Sequence, residues 1–576
     1  MKDMTNHYSA PKPRVAYLSM GAYLESYLPT YSGGLEVLAG DILRSCADRR
    51  IPIVGIIQAS SSGYFRQGID QNGWQQEVPV YWTPQKTLRR IPETVTLEHC
   101  GRELIVGAER YDITGSTGFK VPVYLLDTNF AQNDESLRQI TGMLYDADYE
   151  RRLAQENVLG QAGIKLMKHL GYDDILLHMN EGHAALGALQ LLSKEGLPEE
   201  DVRRRSVFTT HTPVPAGHDV FDYGLANDVL GKRFLPDRIK EFAGHDRLNM
   251  TRLAVSLSGY INAVSRRHAE VCRAMDIFSG RKVDFITNGI HPETWAARPM
   301  MDFFDDYLPN WRFEPVVFER AGNTIPLDAL DQAKERAKRY LMGFLNSELN
   351  VEFDQDVLTI VWARRFTDYK RPLLLFRDID RLHQLAEKYG RIQVIFSGKA
   401  HPNDQHGKEL IQKIIRYSRE LKNHLRCAFI PGYNAKIARR LIGGADIWLN
   451  TPRRPLEASG TSGMKAALNG GLNLSSYDGW IVEGYEMTPE AVWLAGPQTR
   501  QVAPDSDKEA ADSEDAGTMY DNLKELLNLY YRHPKALLRR RAQAVSLISW
   551  FNTDRCVREY ADKAWRLSPR EFSWTS

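Results

Sequence analysis

The chain has 576 residues, of which 43% are hydrophobic and 26% are charged, values ordinary for a globular protein. A chain of this length is longer than most chains that fold around a single hydrophobic core, so the length predicts two or more domains. The 74 Lys and Arg residues balance 73 Asp and Glu residues, and the net charge of +1 excludes a strong overall field toward nucleic acid or a membrane surface.

Cysteine usage and the N-terminal residues predict the compartment. The five cysteines are odd in number and far apart: Cys46, Cys100, Cys272, Cys427 and Cys556. This spacing favours reduced thiols in a cytoplasmic protein over disulfides or a zinc cluster, and we expect no metal site. The first residues lack the apolar core of a secretion signal, and no run approaches membrane-spanning length, so we expect no membrane partner.

Short apolar runs rich in β-branched residues alternate with longer helical patterns along the chain. The first series is RVAYLSM, IPIVGIIQ, VPVYLLD, DILLHMN and RSVFTTH, and the second is VLTIVWA, IQVIFSG, LRCAFIP, ADIWLN and GLNLSS. Such alternation predicts parallel sheets joined by crossover helices. Because there are two series, we predict an α/β protein with two domains.

Four further segments complete the predicted organisation. VDFITNGIHPETW reads as a strand that ends in an Asn–Gly turn, and we place the hinge there, between an N-terminal domain of residues 1–288 and a C-terminal domain of residues 289–576. VTLEHCGRELIVGAERYDI predicts antiparallel strands inserted in the first domain. Residues 520–566 predict a helical tail that packs across both domains, and the low-complexity residues 505–517 predict a surface loop.

Polar residues follow several predicted strands. They are Asn180, Glu181 and His183, then Thr210 and His211, then Arg364 and Arg365, and finally Gly398 and Lys399. Any one group could simply cap a helix. Ligands of open α/β sheets bind beyond the carboxyl ends of the strands, so the recurrence of such groups predicts a cleft between the domains.

The segment EASGTSGMK, residues 457–465, places small and hydroxyl residues between a carboxylate and a lysine. Thr461, Ser462 and Gly463 could present backbone amides to an anion where a helix begins, with Lys465 one turn later. A phosphate-bearing aldehyde suits both halves, since the amides would hold its phosphate and the amine would bind its carbonyl carbon. The segment alone leaves open a simpler alternative, a Gly/Ser loop before a helix whose lysine faces solvent.

Eight motifs together resemble those of the α-glucan phosphorylases of glycogen and maltodextrin, specifically the short prokaryotic branch. They are LPTYSGGLEVLAGD, SGYFRQGIDQNGWQQE, HMNEGHAAL, FTTHTPVPAGHDVF, ITNGIHPETW, ARRFTDYKRPLLL, GKAHPND and NTPRRPLEASGTSGMKAALNGGLNLSSYDGW. The resemblance covers nearly the whole chain in the expected order. It implies two Rossmann-like domains facing an interdomain cleft, the GT-B arrangement, and pyridoxal 5′-phosphate as cofactor. It also implies reversible, retaining phosphorolysis of an α-1,4-glucan by inorganic phosphate to glucose 1-phosphate.

The same resemblance implies which residues surround the cofactor. Lys465 matches the Schiff-base lysine, and the residues around the cofactor phosphate and ring would be Thr461, Ser462, Gly463, Arg364 and Tyr433. Gly33 and Gly34 match a glycine turn whose amides face phosphate. The resemblance leaves homo-oligomerisation open.

Five further positions match residues that bind the substrates. Arg365 and Lys370 match a pair that grips the substrate phosphate. His211, Asn288 and Glu457 match groups that hydrogen-bond the glucosyl unit at the cleaved bond. Because the substrate phosphate captures the sugar, the family needs no pair of enzymic carboxylates, and none stands out in these motifs.

Three departures from the family pattern lie close to the inferred site. Glu36 stands where the glycine turn usually continues with glycine, Gly21 stands where an acidic residue is usual, and Ser60–Ser62 precede Gly63. One interpretation is drift, in which the acidic side chain lost at Gly21 is compensated by the one gained at Glu36. The other is an altered substrate site.

The departures keep two other functions open beside the α-glucan phosphorylase. One is a phosphorylase-derived retaining glycosyltransferase or glycosidase with an altered donor or acceptor, such as an amino sugar beside Glu36. The other is a non-catalytic glucan-binding protein, and the intact substrate-binding residues argue against it.

Overall fold

The structure is a computed structural model that describes residues 12–214, 217–231, 234, 238–421, 424–501 and 507–568. Two large sheets, one of ten strands and one of six, organise the described residues, together with two small ribbons of two strands each. None of the described helices combines the length and the apolar character needed to cross a membrane.

The first half of the chain supplies the ten-stranded sheet and the ribbons. Its strands are β1 (Val15–Leu18), β2 (Ile53–Gln58), β3 (Arg66–Ile69), β4 (Gln75–Val78), β5 (Arg89–Arg90), β6 (Val95–His99), β7 (Arg102–Thr114), β8 (Lys120–Asp127), β9 (Leu176–Asn180), β10 (Ser206–Thr209), β11 (Val220–Phe221), β12 (Leu248–Asn249), β13 (Tyr260–Ala263) and β14 (Asp284–Phe285). Its α-helices are α1 (Gly34–Asp48), α2 (Pro84–Thr87), α3 (Glu135–Arg138), α4 (Tyr149–Asn157), α5 (Gly163–His169), α6 (Leu186–Ser193), α7 (Glu199–Arg204), α8 (Tyr223–Leu230), α9 (Ile239–Ala243), α10 (Met250–Ser256) and α11 (Arg266–Arg273).

The strand order of the first sheet is β14-β13-β10-β9-β1-β2-β8-β7-β5, with β6 paired to β7. The strands from β14 to β8 run parallel. All five strands predicted for the first series are present in this sheet. The predicted inserted strands are also present, as the antiparallel hairpin of β6 and β7.

The second half supplies the six-stranded sheet. Its strands are β15 (Leu358–Ala363), β16 (Ile392–Ser397), β17 (Leu425–Ile430), β18 (Ile447–Asn450), β19 (Leu472–Ser475) and β20 (Val492–Leu494). Its α-helices are α12 (Pro292–Trp295), α13 (Arg298–Tyr307), α14 (Ala321–Thr324), α15 (Leu327–Gly343), α16 (Ile379–Tyr389), α17 (Gln405–Glu420), α18 (Ala435–Gly444), α19 (Ser462–Leu468), α20 (Trp480–Met487), α21 (Lys508–Arg532), α22 (Pro534–Ser546) and α23 (Thr553–Glu559).

The second sheet is entirely parallel, in the order β17-β16-β15-β18-β19-β20. Counted along the chain, this is the 3-2-1-4-5-6 order of the Rossmann fold. All five predicted strands of the second series are present, and β20 was not predicted. Every residue of β2 and β15 is buried, because helices cover both faces of a parallel sheet, and this burial explains their continuous apolar sequences.

The C-terminal helices differ from the prediction at one point, and they also return to the first sheet. The prediction of a surface loop over residues 505–517 is wrong from Lys508 onward, where α21 begins, and residues 505 and 506 lie outside the described residues. Helix α23 and the turn after it pack on the first sheet, where Val557 and Tyr560 share a core with Val15. The domain boundary after residue 288 stays a prediction.

Candidate active site

One cavity of about 400 Å³ is lined by residues from both halves of the chain, many of which follow strands of the two large sheets. In such sheets ligands bind where the strand order reverses, here beside β1 and β9 in the first sheet and beside β15 and β18 in the second. The cavity brings together every predicted site residue except one: Gly33, Gly34, His211, Asn288, Arg364, Arg365, Lys370, Tyr433, Glu457, Thr461, Ser462 and Lys465.

Gly463 does not line this cavity. A Cβ atom at this position would lie 2.3 Å from Asn473 Oδ1 and 3.1 Å from the Trp480 ring. Asn473 also donates a hydrogen bond from Nδ2 to the Gly463 carbonyl, at 3.1 Å. Glycine is therefore required here for the close packing of α19 against β19 and α20.

Lys465 lies in the first turns of α19 and is buried in the cavity wall. Its Nζ is 3.6 Å from the centroid of the Trp295 ring. Burial lowers the pKa of this amine to about 8, although Asp41 acts in the opposite direction. The environment therefore favours a neutral, nucleophilic amine more than water does, since desolvation disfavours the charged form.

Arg364 lies directly after β15 and is suited to a buried anion. Its Nη2 donates to the Leu449 carbonyl at 3.0 Å, but its buried Nε has no hydrogen-bond partner among the described residues. Burial lowers the pKa of the guanidinium to about 10. A phosphate near Nε would supply the missing acceptor, because charged groups in such surroundings are stable only when they are paired.

Arg365 and Lys370 add further positive charge to the cavity. Arg365 has no ion-pair or hydrogen-bond partner in the described part of the chain, and its Nη2 is 3.5 Å from the Cβ position of Gly33. The Lys370 ammonium forms an ion pair with Glu457. Burial alone would lower the pKa of Lys370, but the Glu457 carboxylate outweighs it and raises that pKa. Beside Arg364 and Lys465, the cavity thus contains the unpaired guanidinium of Arg365 and the paired ammonium of Lys370.

His211 and Asn288 provide neutral polar groups. His211 Nε2 bonds Asn180 Oδ1 at 2.7 Å, and Asn180 Nδ2 donates to Ser19 Oγ at 3.1 Å, so the hydrogen of His211 resides on Nε2. Burial lowers the pKa of His211 to about 3, and the ring is neutral at physiological pH. The side-chain amide of Asn288 has no partner within the described residues and is free to bind a ligand.

A second cavity, of about 610 Å³, adjoins the first and shares Gly33, Gly34, His211 and Arg365 with it. Its wall includes Tyr145, Arg152 and Asp219, to which sequence reasoning assigned no role. Arg152 donates to Asp219 at 2.7 Å and lies 4.7 Å above the Tyr145 ring. Asp219 falls inside the FTTHTPVPAGHDVF motif, but Arg152 looks like an ordinary charged residue of a helix, and nothing local indicates its burial.

Glu36 is buried at the start of α1, between the glycine turn and the second cavity. Its Oε2 accepts a hydrogen bond from Gly33 N at 2.7 Å, and its Oε1 accepts one from the Tyr145 hydroxyl. A Cβ atom at Gly21 would lie 3.1 Å from Glu36 Cγ, so the two departures from the family pattern are neighbours in space. The Glu36 carboxylate therefore accepts the hydrogen bond of the Gly33 amide, one of the two amides of the glycine turn.

Comparison with known proteins gives the family. A sequence model of the family described as carbohydrate phosphorylase matches residues 231–530. The maltodextrin phosphorylase of Thermococcus litoralis is 37% identical over 97% of this chain and 71% of its own length. The chain belongs to the carbohydrate phosphorylase family. This confirms the predicted family, the enzyme class of glycosyltransferases and the two-domain α/β fold class.

Two other members of the carbohydrate phosphorylase family are similar over most of their length. The glycogen phosphorylase of Mycobacterium tuberculosis is 34% identical over 98% of this chain and 72% of its own length. The glycogen phosphorylase of Aquifex aeolicus is 33% identical over 90% of this chain and 80% of its own length.

Proposed function

We propose that this protein is a pyridoxal phosphate-dependent α-glucan phosphorylase that converts an α-1,4-glucan and inorganic phosphate to glucose 1-phosphate with retention. The observation that carries the proposal is the single cavity in which a buried lysine of lowered pKa lies with unpaired cationic and neutral polar side chains. The proposal includes the predicted cytoplasmic location and domain boundary, and it involves no nucleic acid or membrane partner. Homo-oligomerisation stays open.

The residues present fit the cofactor. Lys465 supplies the amine, the start of α19 at Thr461 and Ser462 supplies backbone amides, and Arg364 supplies a buried donor without a protein acceptor. Tyr433, whose pKa burial raises to about 12, stays a neutral phenol on the cavity wall. When bound, pyridoxal phosphate would supply a second phosphate group for proton exchange beside the substrate phosphate.

The other cavity residues would bind and orient the substrates. Arg365 and the amide of Gly34 would hold the substrate phosphate, with Lys370 neutralising charge beside it. His211, being neutral, and Asn288 would bond sugar hydroxyl groups without attracting phosphate. Glu457, held by Lys370, accepts hydrogen bonds from the same sugar. In this proposal the positive side chains bind phosphate, whereas His211, Asn288 and Glu457 bind the sugar.

A phosphorylase-derived glycosyltransferase or glycosidase with an altered donor or acceptor is the second candidate. Glu36 supports it, because a carboxylate at the glycine turn disfavours phosphate and favours a cationic sugar. A non-catalytic glucan-binding protein is not supported, since the cavity holds more unpaired positive charge than glucan binding requires.

Release of glucose 1-phosphate from maltodextrin, measured with and without inorganic phosphate, tests the proposal. Arg365→Ala should lower kcat/KM for phosphate by about tenfold or more, because a charge-assisted hydrogen bond contributes about 1.5–3 kcal/mol. Arg381→Ala is the matched control, since Arg381 pairs with Asp521 outside the cavity. Phosphate-independent turnover, or equal kinetics in both variants, would support the second candidate instead.

We also expect Glu36→Gly and Glu36→Gln to lower the KM for phosphate. A carboxylate about 4 Å from phosphate opposes its binding by roughly 1–4 kcal/mol between water-like and surface-like screening. Both variants remove the charge, but only Glu36→Gly also frees the Gly33 amide, so it should bind phosphate more tightly than Glu36→Gln. Glu25→Gln, which removes a carboxylate outside both cavities, is the control. An unchanged KM in both Glu36 variants would show that this carboxylate does not oppose phosphate.

A further inference from the structure

A histidine, a cysteine and a glutamate that line neither cavity converge where the β6–β7 hairpin meets α4. His99 ends β6, Cys100 follows it in the turn to β7, and Glu150 lies in the first turn of α4. His99 Nε2 is 3.8 Å from Cys100 Sγ and 3.9 Å from Glu150 Oε1, and the last two atoms are also 3.9 Å apart. The three donor atoms thus form a nearly equilateral triangle.

This triangle is close to the size that a tetrahedral zinc ion requires. Zinc binds nitrogen and oxygen at about 2.0–2.2 Å and thiolate sulfur at about 2.3 Å, which places donor atoms roughly 3.4–3.6 Å apart at tetrahedral angles. Each observed distance must therefore shorten by only a few tenths of an ångström. The exposed Glu150 side chain can supply much of this movement.

The state of His99 is a second, independent observation. The residue is only 4% exposed, yet Nδ1 has no hydrogen-bond partner among the described residues and Nε2 faces only the two long contacts. A buried nitrogen that has only long contacts is poorly satisfied, and a metal ion on Nε2 would give that nitrogen a short bond.

The turn that carries the ligands is held in place by contacts outside the triangle. Cys100 N donates to the Asp228 carbonyl at 3.0 Å, which attaches the hairpin tip to the end of α8. Arg102, the cross-strand partner of His99, forms an ion pair with Asp134 at 2.6 Å. The turn that carries His99 and Cys100 is therefore held in place by its backbone, and most of the movement falls to Glu150.

We infer that His99, Cys100 and Glu150 form a binding site for Zn²⁺ or a similar thiophilic divalent cation, with water in the fourth position. On binding, the Cys100 Sγ–H bond breaks, a sulfur–zinc bond forms, and the proton passes to the solvent. Neutral imidazole, thiolate and carboxylate together balance the charge of the ion. The ion joins the β6–β7 hairpin to α4, the helix whose Tyr149 and Arg152 line the second cavity. Sequence spacing did not indicate this site because one ligand comes from a distant helix.

Protection of the Cys100 thiol tests the site without an activity measurement. Cys100 is exposed and the other four cysteines are buried, so a chromogenic disulfide reagent should react with one thiol per native chain after chelator treatment. Zinc at about ten times its dissociation constant should slow that reaction about tenfold, since the free fraction falls in proportion. The cobalt form should show a thiolate-to-cobalt charge-transfer band that Cys100→Ser lacks.

Glu150→Gln is the decisive variant, because this exposed side chain can change without unfolding the protein. It should weaken zinc protection of Cys100, and His99→Gln should abolish it. His245→Gln, an exposed histidine elsewhere, should leave it unchanged. Equal reaction rates with and without zinc would overturn the proposal, as would equal protection in wild type, Glu150→Gln and His99→Gln.

Discussion

Replacing Lys465 with alanine should leave the protein without bound pyridoxal phosphate and should reduce phosphorolysis to background. The amine is buried, its pKa is lowered to about 8, and it is next to the start of α19. Removing it deletes the only covalent anchor in our proposal. Cofactor absorbance after gel filtration measures the loss, and circular dichroism checks that the variant is folded.

Lys399→Ala is the matched control for this prediction. Lys399 lines the same cavity, burial lowers its pKa to about 8 as well, and its Nζ donates to the Phe65 carbonyl at 2.6 Å. Borohydride reduction followed by peptide mapping should therefore place the pyridoxyl group on Lys465 and leave Lys399 unlabelled. A label on Lys399, or cofactor retained by Lys465→Ala, would contradict the assignment.

Asp446→Asn should destabilise the protein by about 3–5 kcal/mol, because removing one partner of a buried ion pair leaves the other charge uncompensated. Asp446 is 3% exposed and accepts hydrogen bonds from Lys338 Nζ at 2.5 Å, Arg541 Nη2 at 2.8 Å and Thr359 N at 2.9 Å. Urea unfolding measures the effect. Asp356→Asn, an exposed carboxylate nearby, should change stability by less than about 0.5 kcal/mol.

The Asp446 contribution should also depend on pH. Burial by itself would raise the pKa of this carboxyl, but Lys338, Arg541 and Lys334 outweigh it and lower the pKa to about 2. An unfolded aspartate titrates near 3.9, so the stabilisation is fully present above about pH 4 and is lost as the pH falls toward about 2. The difference between wild type and Asp446→Asn should shrink over that interval. A difference that is constant down to about pH 3 would argue that Asp446 is not ionised in the fold.

The sequence by itself indicated five strands of each large sheet, the inserted β6–β7 hairpin and the motifs of the cavity, but not strands such as β5, β13 and β20. Runs such as IVGIIQ and LTIVWA could be recognised as strands from their continuous apolar sequences. The sequences are continuous because both faces of a parallel strand are buried. The segment EASGTSGMK could be recognised for a similar reason, since the amides predicted to bind an anion and the lysine are neighbours in the chain. The roles of the individual site residues stay predictions.

Only the tertiary structure decided which charged side chains are buried. Asp512 and Asp515 belong to the acidic stretch that predicted a loop, yet both are buried on α21 because Arg371 contacts each of them at 2.7 Å. Glu36 meets Tyr145 across more than a hundred residues, and His99 meets Glu150 across about fifty. A sequence pattern shows the periodicity of apolar residues. A buried charge, however, is stable only beside a partner, and that partner usually comes from another element of the fold. Only packing brings the two together.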